Sequence, residues 1–357
     1  DDPRYLDLKF GLARAFIGAG EHVRALKVLK ELEEADHPSG TGLYAQRFYY
    51  GEAVEISYTK FCELSRKAHD LGELYSAYDL YFCFKNGWVG EQNYSKAIEY
   101  LELAHQNGVS QATIMLAEIH QFGVLGFDKN VDEAKRILLP EVKNGNPEAA
   151  RIYASISINE PTDLADLTKS LAELSSLAED GNEDAMFDLA WTNLNPSFLT
   201  DVGNTFNFSQ DANIGFQNLM ALTKSDYGLQ LVNSMLDHYF GEVLDKDQQS
   251  EFLSVLKATC KDATIVDKQT SIRACAILST IYDEGVFGPK DPAVGLDFSV
   301  FSAENYNDSE AAIAAGWRYW SRPSIHNVKR ARELTTIALD APEITNRAYA
   351  HNNLAVF

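Results

Sequence analysis

Residues 112–149 read ATIMLAEIHQFGVLGFDKNVDEAKRILLPEVKNGNPEA, and residues 274–311 read ACAILSTIYDEGVFGPKDPAVGLDFSVFSAENYNDSEA. Laid one on the other, Ala112, Leu116, His120, Gly123 and Gly126 meet Ala274, Leu278, Tyr282, Gly285 and Gly288. The same pattern stands 36 residues upstream of the first stretch, as Leu80, Phe84, Gly87 and Gly90. Ala97 to Ala134, Gly108 to Gly145, Ala112 to Ala149, Ala274 to Ala311 and Ala311 to Ala348 are all 37 residues apart, and Ala149 to Ala185 is 36. A period this regular marks a repeat architecture rather than a set of unrelated domains.

Each repeat reads as two helices. Helix A carries a small residue, a Leu four positions on and an aromatic or His four after that, which places all three on one helical face. Gly87, Gly123 or Gly285 then ends helix A, because glycine accepts the left-handed cap conformation at no steric cost. A short loop with a second glycine follows. Helix B brings Ala97 or Ala134 to a close helix crossing and ends at Gly108, Gly145 or Gly181. In the repeat from Ala274 that last cap is Asn307, the next most tolerant residue of the left-handed region. Strand-like alternation never lasts beyond four or five residues, so the predicted fold is all-α, an α-α superhelix (solenoid) of helix-turn-helix repeats, right-handed and without β-sheet.

These residues resemble the SEL-like repeat family, a longer relative of the tetratricopeptide repeat. The best matches begin at Ala112 and Ala274, and KAIEYLELAHQNGVSQA from Lys96 is a half-match. The first repeat is closer to the tetratricopeptide form, with Leu12, Ala13, Phe16, Ala25, Leu29 and Leu32 at its packing positions and Pro38 near its terminal proline. The resulting organisation is tetratricopeptide-like repeats over 1–75, SEL-like repeats over 76–192, an irregular insertion over 193–213, and further SEL-like repeats over 214–357. The last of these starts at Ala348 and is cut short within its first helix. The insertion, rich in Asn, Pro and Gly, is either a projecting binding element or a tolerated loop.

Composition narrows the function. With 31 basic against 52 acidic residues the chain carries a net charge of −21. Nucleic-acid affinity needs clustered Lys and Arg, and the longest basic cluster is Lys329, Arg330 and Arg332, so no nucleic-acid partner is expected. Acidity suits solubility of a long surface or a basic partner. No uninterrupted apolar run approaches the ~18 residues of a membrane span.

No zinc-protease motif, nucleophile elbow, Walker loop or dinucleotide fingerprint is present, and no two of the eight histidines stand four residues apart. The glycine pairs follow helices and recur at the repeat period, so they are not phosphate loops. His120 occupies the aromatic slot and reads as a packed residue. No catalytic, cofactor or metal residue is assigned, and the chain reads as a non-enzyme.

Two aromatic clusters carry more weight. ELYSAYDLYFCFKNGW places Tyr75, Tyr78, Tyr81, Phe82, Phe84 and Trp88 on one helix and its end, and helical periodicity sends about half of them to the core. AAGWRYWSR, from Ala314, places Trp317 and Trp320 at the sixth and ninth positions after the Ala of their repeat. Glu118 and Gln121, like Thr280 and Asp283, hold those slots elsewhere, and polar occupants imply exposure. By the geometry that the resemblance implies, these slots line the concave helix-A surface. The candidate partner-binding residues are therefore Trp317, Trp320, Glu118, Gln121 and Asp283, since exposed Trp is a common binding anchor. Burial of the two Trp by a following repeat is the competing expectation.

The leading functional expectation is a scaffold that holds protein partners on its concave face. A structural part in a bacterial envelope or exopolysaccharide-secretion assembly, which the resemblance brings in, is the alternative. A polysaccharide that stacks on the aromatic residues is a further candidate ligand.

The four cysteines fall into two pairs. Cys62 and Cys83 are centred on Gly72, and Cys260 and Cys275 on Asp267. Residues equidistant from the turn of an antiparallel helix pair face each other, so each pair would join helix B of one repeat to helix A of the next. Two disulfides would place maturation in an oxidising compartment such as a bacterial periplasm or an ER lumen. Four buried thiols are the alternative.

Overall fold

The structure, a computed structural model, describes residues 3–195, 209–236, 243–264 and 266–357. Among these residues nineteen α-helices and two short 3-10 turns are the only regular elements. The chain divides into two compact units, Asp1–Ile156 and Ser157–Phe357.

The first unit holds α1 (Pro3–Gly18), α2 (His22–Glu34), α3 (Pro38–Tyr50), α4 (Tyr58–Asp70), α5 (Ser76–Lys85), α6 (Tyr94–Gln106), α7 (Ser110–Phe122) and α8 (Val131–Lys143). Helix α9 (Pro147–Asn159) carries the chain into the second unit. There follow α10 (Leu164–Glu179), α11 (Glu183–Leu194), α12 (Ala212–Leu222), α13 (Asp226–Met235), α14 (Lys246–Lys261), α15 (Lys268–Glu284), α16 (Pro292–Tyr306), α17 (Ser309–Ser321), α18 (Val328–Ile337) and α19 (Ile344–Val356). Within each unit a helix A packs on its own helix B, as α5 on α6 and α15 on α16, and on helix B of the repeat before, as α5 on α4 and α15 on α14. The helix-turn-helix repeats expected from the 36- and 37-residue spacing are thus present and stacked.

The glycines stand where the spacing put them. Gly87, Gly123 and Gly285 end helices A at φ 70°, 66° and 72°, and Gly108, Gly145 and Gly181 follow helices B at 78°, 78° and 91°. Asn307 takes the same left-handed conformation at φ 57°. A second device recurs beside them. The backbone N–H of the residue capping helix B donates to the carbonyl of the aromatic slot in helix A: Asn93 to Phe84 (2.9 Å), Asn130 to His120 (2.7 Å), Asp291 to Tyr282 (2.7 Å) and Asn327 to Tyr319 (2.9 Å). Each of those capping side chains also accepts from the backbone N–H three residues on. One Asn or Asp therefore closes the A–B loop and caps helix B, a contribution of about 1 kcal/mol per cap. Four residues beyond each cap lies a small residue buried at the crossing: Ala97, Ala134, Gly295 and Ala331.

In the first repeat Ala13, Ala25, Leu29 and Leu32 are fully buried. Leu12 departs from the sequence expectation, being 46% exposed. The stripe of α1 that packs on this core runs through Leu6, Phe10, Ala13 and Ile17, and Leu12 sits about 100° from Ala13 around the helix.

Both cysteine pairs are disulfides. Cys62 on α4 joins Cys83 on α5 with Cα atoms 5.8 Å apart, and Cys260 on α14 joins Cys275 on α15 with Cα atoms 4.8 Å apart. No cysteine is free and all four are buried. Each bridge ties helix B of one repeat to helix A of the next, as the midpoint symmetry predicted.

Helix α11 continues through Asn193 and Leu194, and α12 starts at Ala212. The sequence-defined insertion, 193–213, falls largely between them, and its residues 196–208 lie outside the described residues. Its base is tied down. The Gln210 side-chain amide donates to the carbonyls of Thr192 and Asn195, both at 2.7 Å, and the Asp211 N–H donates to the Asn193 side chain at 2.9 Å.

Candidate functional site

In the second unit α15, α17 and α19 are helices A of three successive repeats. A groove of about 960 Å³ runs across them, bounded by Ile272, Arg273, Ala276 and Ser279 of α15, by Ala311, Ala314 and Arg318 of α17, and by Asn346 of α19. Its ends are pinned by caps: Asp267 accepts from the Gln269 and Thr270 N–H groups, and Asp308 from those of Glu310 and Ala311.

The groove floor is a polar network. Arg318 pairs with Asp283 and also donates to the Ser279 hydroxyl at 3.3 Å. Ser279 shares a hydrogen bond with Ser299 at 3.0 Å. Arg273 pairs with Asp226 of α13. The Tyr306 hydroxyl donates to the Cys260 carbonyl at 2.6 Å, which links the groove wall to the disulfide-bonded helix. Gly295 makes room for this arrangement, because a Cβ there would stand 2.7 Å from the second Asp283 oxygen. That oxygen is buried and accepts no hydrogen bond. Asp283 is thus the half-buried ion-pair partner of a lining residue, and is not itself among the residues lining the groove.

Trp317 and Trp320 lie on the last turns of α17. Trp317 is 44% exposed and Trp320 half-buried. Their ring centroids are 4.9 Å apart, and Phe357 packs against both at 6.3 and 5.7 Å. Neither Trp is among the residues lining the groove, although Arg318 between them is. His326 donates from Nδ1 to the Trp320 carbonyl at 2.6 Å and anchors that turn.

Glu118 and Gln121 lie on α7 in the first unit, both half-buried. Burial raises the Glu118 carboxyl above its ordinary value, the Glu148 carboxylate adds to this, and Arg151 opposes it. Burial raises the Tyr78 and Tyr81 phenols of α5 and the nearby Glu118 carboxylate adds to this, bringing Tyr81 to about 12. Tyr81 and Phe84 of α5 are buried, while Tyr78 and Phe82 of α5, and Tyr75 just before it, remain half-buried. His120 is half-buried edge-on to Phe127 at 4.8 Å, a packing role as expected. The five predicted positions divide between the units, with Glu118 and Gln121 in the first and Asp283, Trp317 and Trp320 in the second.

Among solved structures, the Sel1 repeat protein from Oxalobacter formigenes superposes with a TM-score of 0.52 at 14% identity, covering 82% of this chain and 96% of its own. The chain has the Sel1-like repeat fold. The c5321 protein of uropathogenic Escherichia coli, a protective antigen displaying an SLR fold, is a further neighbour with a TM-score of 0.49 at 16% identity, covering 94% of this chain and 67% of its own. No protein-family model and no curated protein matches the chain.

On the Sel1-like fold several residues gain roles that the sequence pattern did not assign. Arg318, Ser279 and Ser299 form the groove network, and the signal for Arg318 was its place between two exposed-slot Trp residues. Asp79 is a second case. It stands among aromatic residues on α5 and is almost wholly buried. Among the described residues no group of three or more His, Cys, Asp or Glu side chains is placed to hold a metal ion, and no helix is long and apolar enough to cross a membrane.

Proposed function

We propose that this chain is a scaffold that binds a protein partner along its helix-A surfaces, with the groove across α15, α17 and α19 as one seat and the Trp317–Trp320 pair as its neighbouring anchor. The observation that carries this is the groove itself: helices A of three successive repeats line one open channel of about 960 Å³, with a charged, hydrogen-bonded floor. Extended surfaces that run from repeat to repeat suit an elongated partner segment. Exposed Trp beside a polar rim is the composition of a binding hot spot. Glu118 and Gln121 extend the same helix-A character to the first unit.

The two disulfides support a scaffold that matures outside a reducing cytosol, as in a bacterial periplasm. They equally support the second reading, a structural part in an exported envelope or polysaccharide-secretion assembly. The test is substitution at the anchor. Trp317→Ala and Trp320→Ala are each expected to weaken binding of the captured partner by about 2 kcal/mol, roughly thirtyfold, with an unchanged melting midpoint. A lowered melting midpoint with unaltered affinity would make the two residues structural and remove the anchor.

A further inference from the structure

On the helix-A surface of the first unit, away from Trp317 and Trp320, a cavity of about 210 Å³ opens between α1, α3 and α5. Its walls are Phe10 of α1, Ser39, Gly42, Leu43 and Gln46 of α3, and Glu73, Tyr75 and Asp79 at and before the start of α5. That volume is smaller than the roughly 300–1,000 Å³ of a whole small-molecule site and suits a single inserted side chain.

Two of its walls are carboxylates. The Asp79 side chain is 6% exposed, and its one hydrogen bond is a long 3.4 Å contact from the Ser65 hydroxyl of α4. One oxygen of Glu73 accepts from the Ser76 N–H and hydroxyl at 2.6 and 2.7 Å, and the other has no protein donor. The cavity lining contains no Lys, Arg or His. A buried carboxylate without a cation is costly, and proteins normally pair or neutralise it. Phe10 and Tyr75 supply aromatic walls, and Gln46 an amide. Gly42 stands inside α3, where glycine costs ~1 kcal/mol relative to alanine. A Cβ there would stand 3.3 Å from the Ser76 hydroxyl and 3.5 Å from Glu73 Oε2, a close fit that would narrow this wall.

Taking the helix-A surface as the partner-binding face, we propose that this cavity receives the guanidinium of an arginine side chain from the partner, held by Asp79 and Glu73 and flanked by Phe10 and Tyr75. A planar guanidinium satisfies separate acceptors and stacks on rings, which a spherical ammonium does less well. The net charge of −21 favours approach of such a basic segment.

Recognition carries a proton signature. The groups facing Asp79 are Glu73, Tyr75 and Tyr78, with Ser65 from α4, Gln46 from α3 and Phe10 from α1; His37 stacks on Phe10 at 5.5 Å. Burial raises the Asp79 carboxyl, Glu73 adds to this and Ser65 opposes it, with a net rise to about 8. At pH 7 the empty cavity therefore holds mostly neutral Asp79, and a guanidinium must displace its proton. Affinity rises as pH rises, about tenfold between pH 6 and 7, and levels off above 8.

The probes are the peptides Ac-Gly-Arg-Gly-NH2, Ac-Gly-Lys-Gly-NH2 and the neutral isostere Ac-Gly-citrulline-Gly-NH2, titrated at millimolar concentration into the full chain by NMR. The Arg peptide is expected to move the Asp79 carboxyl carbon toward its ionised position at pH 7, with the stated pH dependence. The Lys peptide should bind at least severalfold more weakly, and the citrulline peptide should leave Asp79 unmoved. Asp79→Asn, which replaces the mostly neutral carboxyl by an isosteric amide that cannot ionise and should melt no lower than the parent, loses the response. Equal binding of Arg and citrulline peptides, equal binding of Arg and Lys peptides, or undiminished binding to folded Asp79→Asn overturns the site. The Trp317 and Trp320 variants report separately on the scaffold, so failure here with intact partner binding there removes the arginine pocket alone.

Discussion

Removal of either disulfide is expected to lower stability by about 3 kcal/mol, and the loss should be confined to the unit that holds the bridge. The bridges close loops with sequence separations of 21 and 15 residues, and cross-linking a loop of that length removes about 3 kcal/mol of chain entropy from the unfolded state. Stability in a repeat array is close to a sum of repeat and nearest-neighbour terms, and each bridge spans one neighbour interface, α4 to α5 or α14 to α15. Cys62→Ala/Cys83→Ala should therefore reduce hydrogen-exchange protection within Asp1–Ile156, and Cys260→Ala/Cys275→Ala within Ser157–Phe357. The thermal midpoint should fall by roughly 6–12 °C in each case. Four alkylatable thiols in the native protein, or an unmoved midpoint, would remove the bridges and with them the support for an oxidising compartment.

Gly295→Val should cost about 3 kcal/mol, several times what Gly145→Val costs, although both replace a glycine of the repeat. Gly145 is left-handed at φ +78° with nothing within 4 Å of the position a Cβ would take. Its substitution meets backbone strain alone, about 1 kcal/mol. Gly295 has ordinary helical geometry but sits at the crossing of α16 on α15. A Cβ there would lie 2.9 Å from the Ser279 carbonyl oxygen and 2.7 Å from Asp283 Oδ1. A valine must push the helices apart, which falls at the upper end of overpacking costs, and it also displaces Asp283 from Arg318. Urea midpoints of the two variants measure the difference. If Gly295→Val costs no more than Gly145→Val, the crossing is looser than the geometry requires.

These glycines mark what a sequence pattern can and cannot convey. The left-handed caps were legible because only glycine or asparagine fits them cheaply, so they recur at fixed spacing along the chain. The disulfide pairs were legible because antiparallel helices equate positions that are equally far from the turn. Asp283 was legible as a slot, but not as the partner of Arg318, 35 positions away on the next helix A. Asp79 gave no warning, since its burial depends on what α1, α3 and α4 bring around it. Leu12 erred in the other direction: a one-residue shift in the buried stripe of α1 left an apolar residue in solvent.

The most direct test of the scaffold is a photo-crosslinking amino acid placed at Ala314, exposed on the groove side of α17, and separately at Asp297, exposed on helix B of the preceding repeat. Irradiation in the native host is expected to yield a defined protein adduct from the Ala314 position and none from Asp297, and the adduct should be lost when Arg318→Glu is added. Equal adducts from both positions, adducts from Asp297 alone, or labelling of polysaccharide in place of protein would contradict partner binding on the helix-A surface.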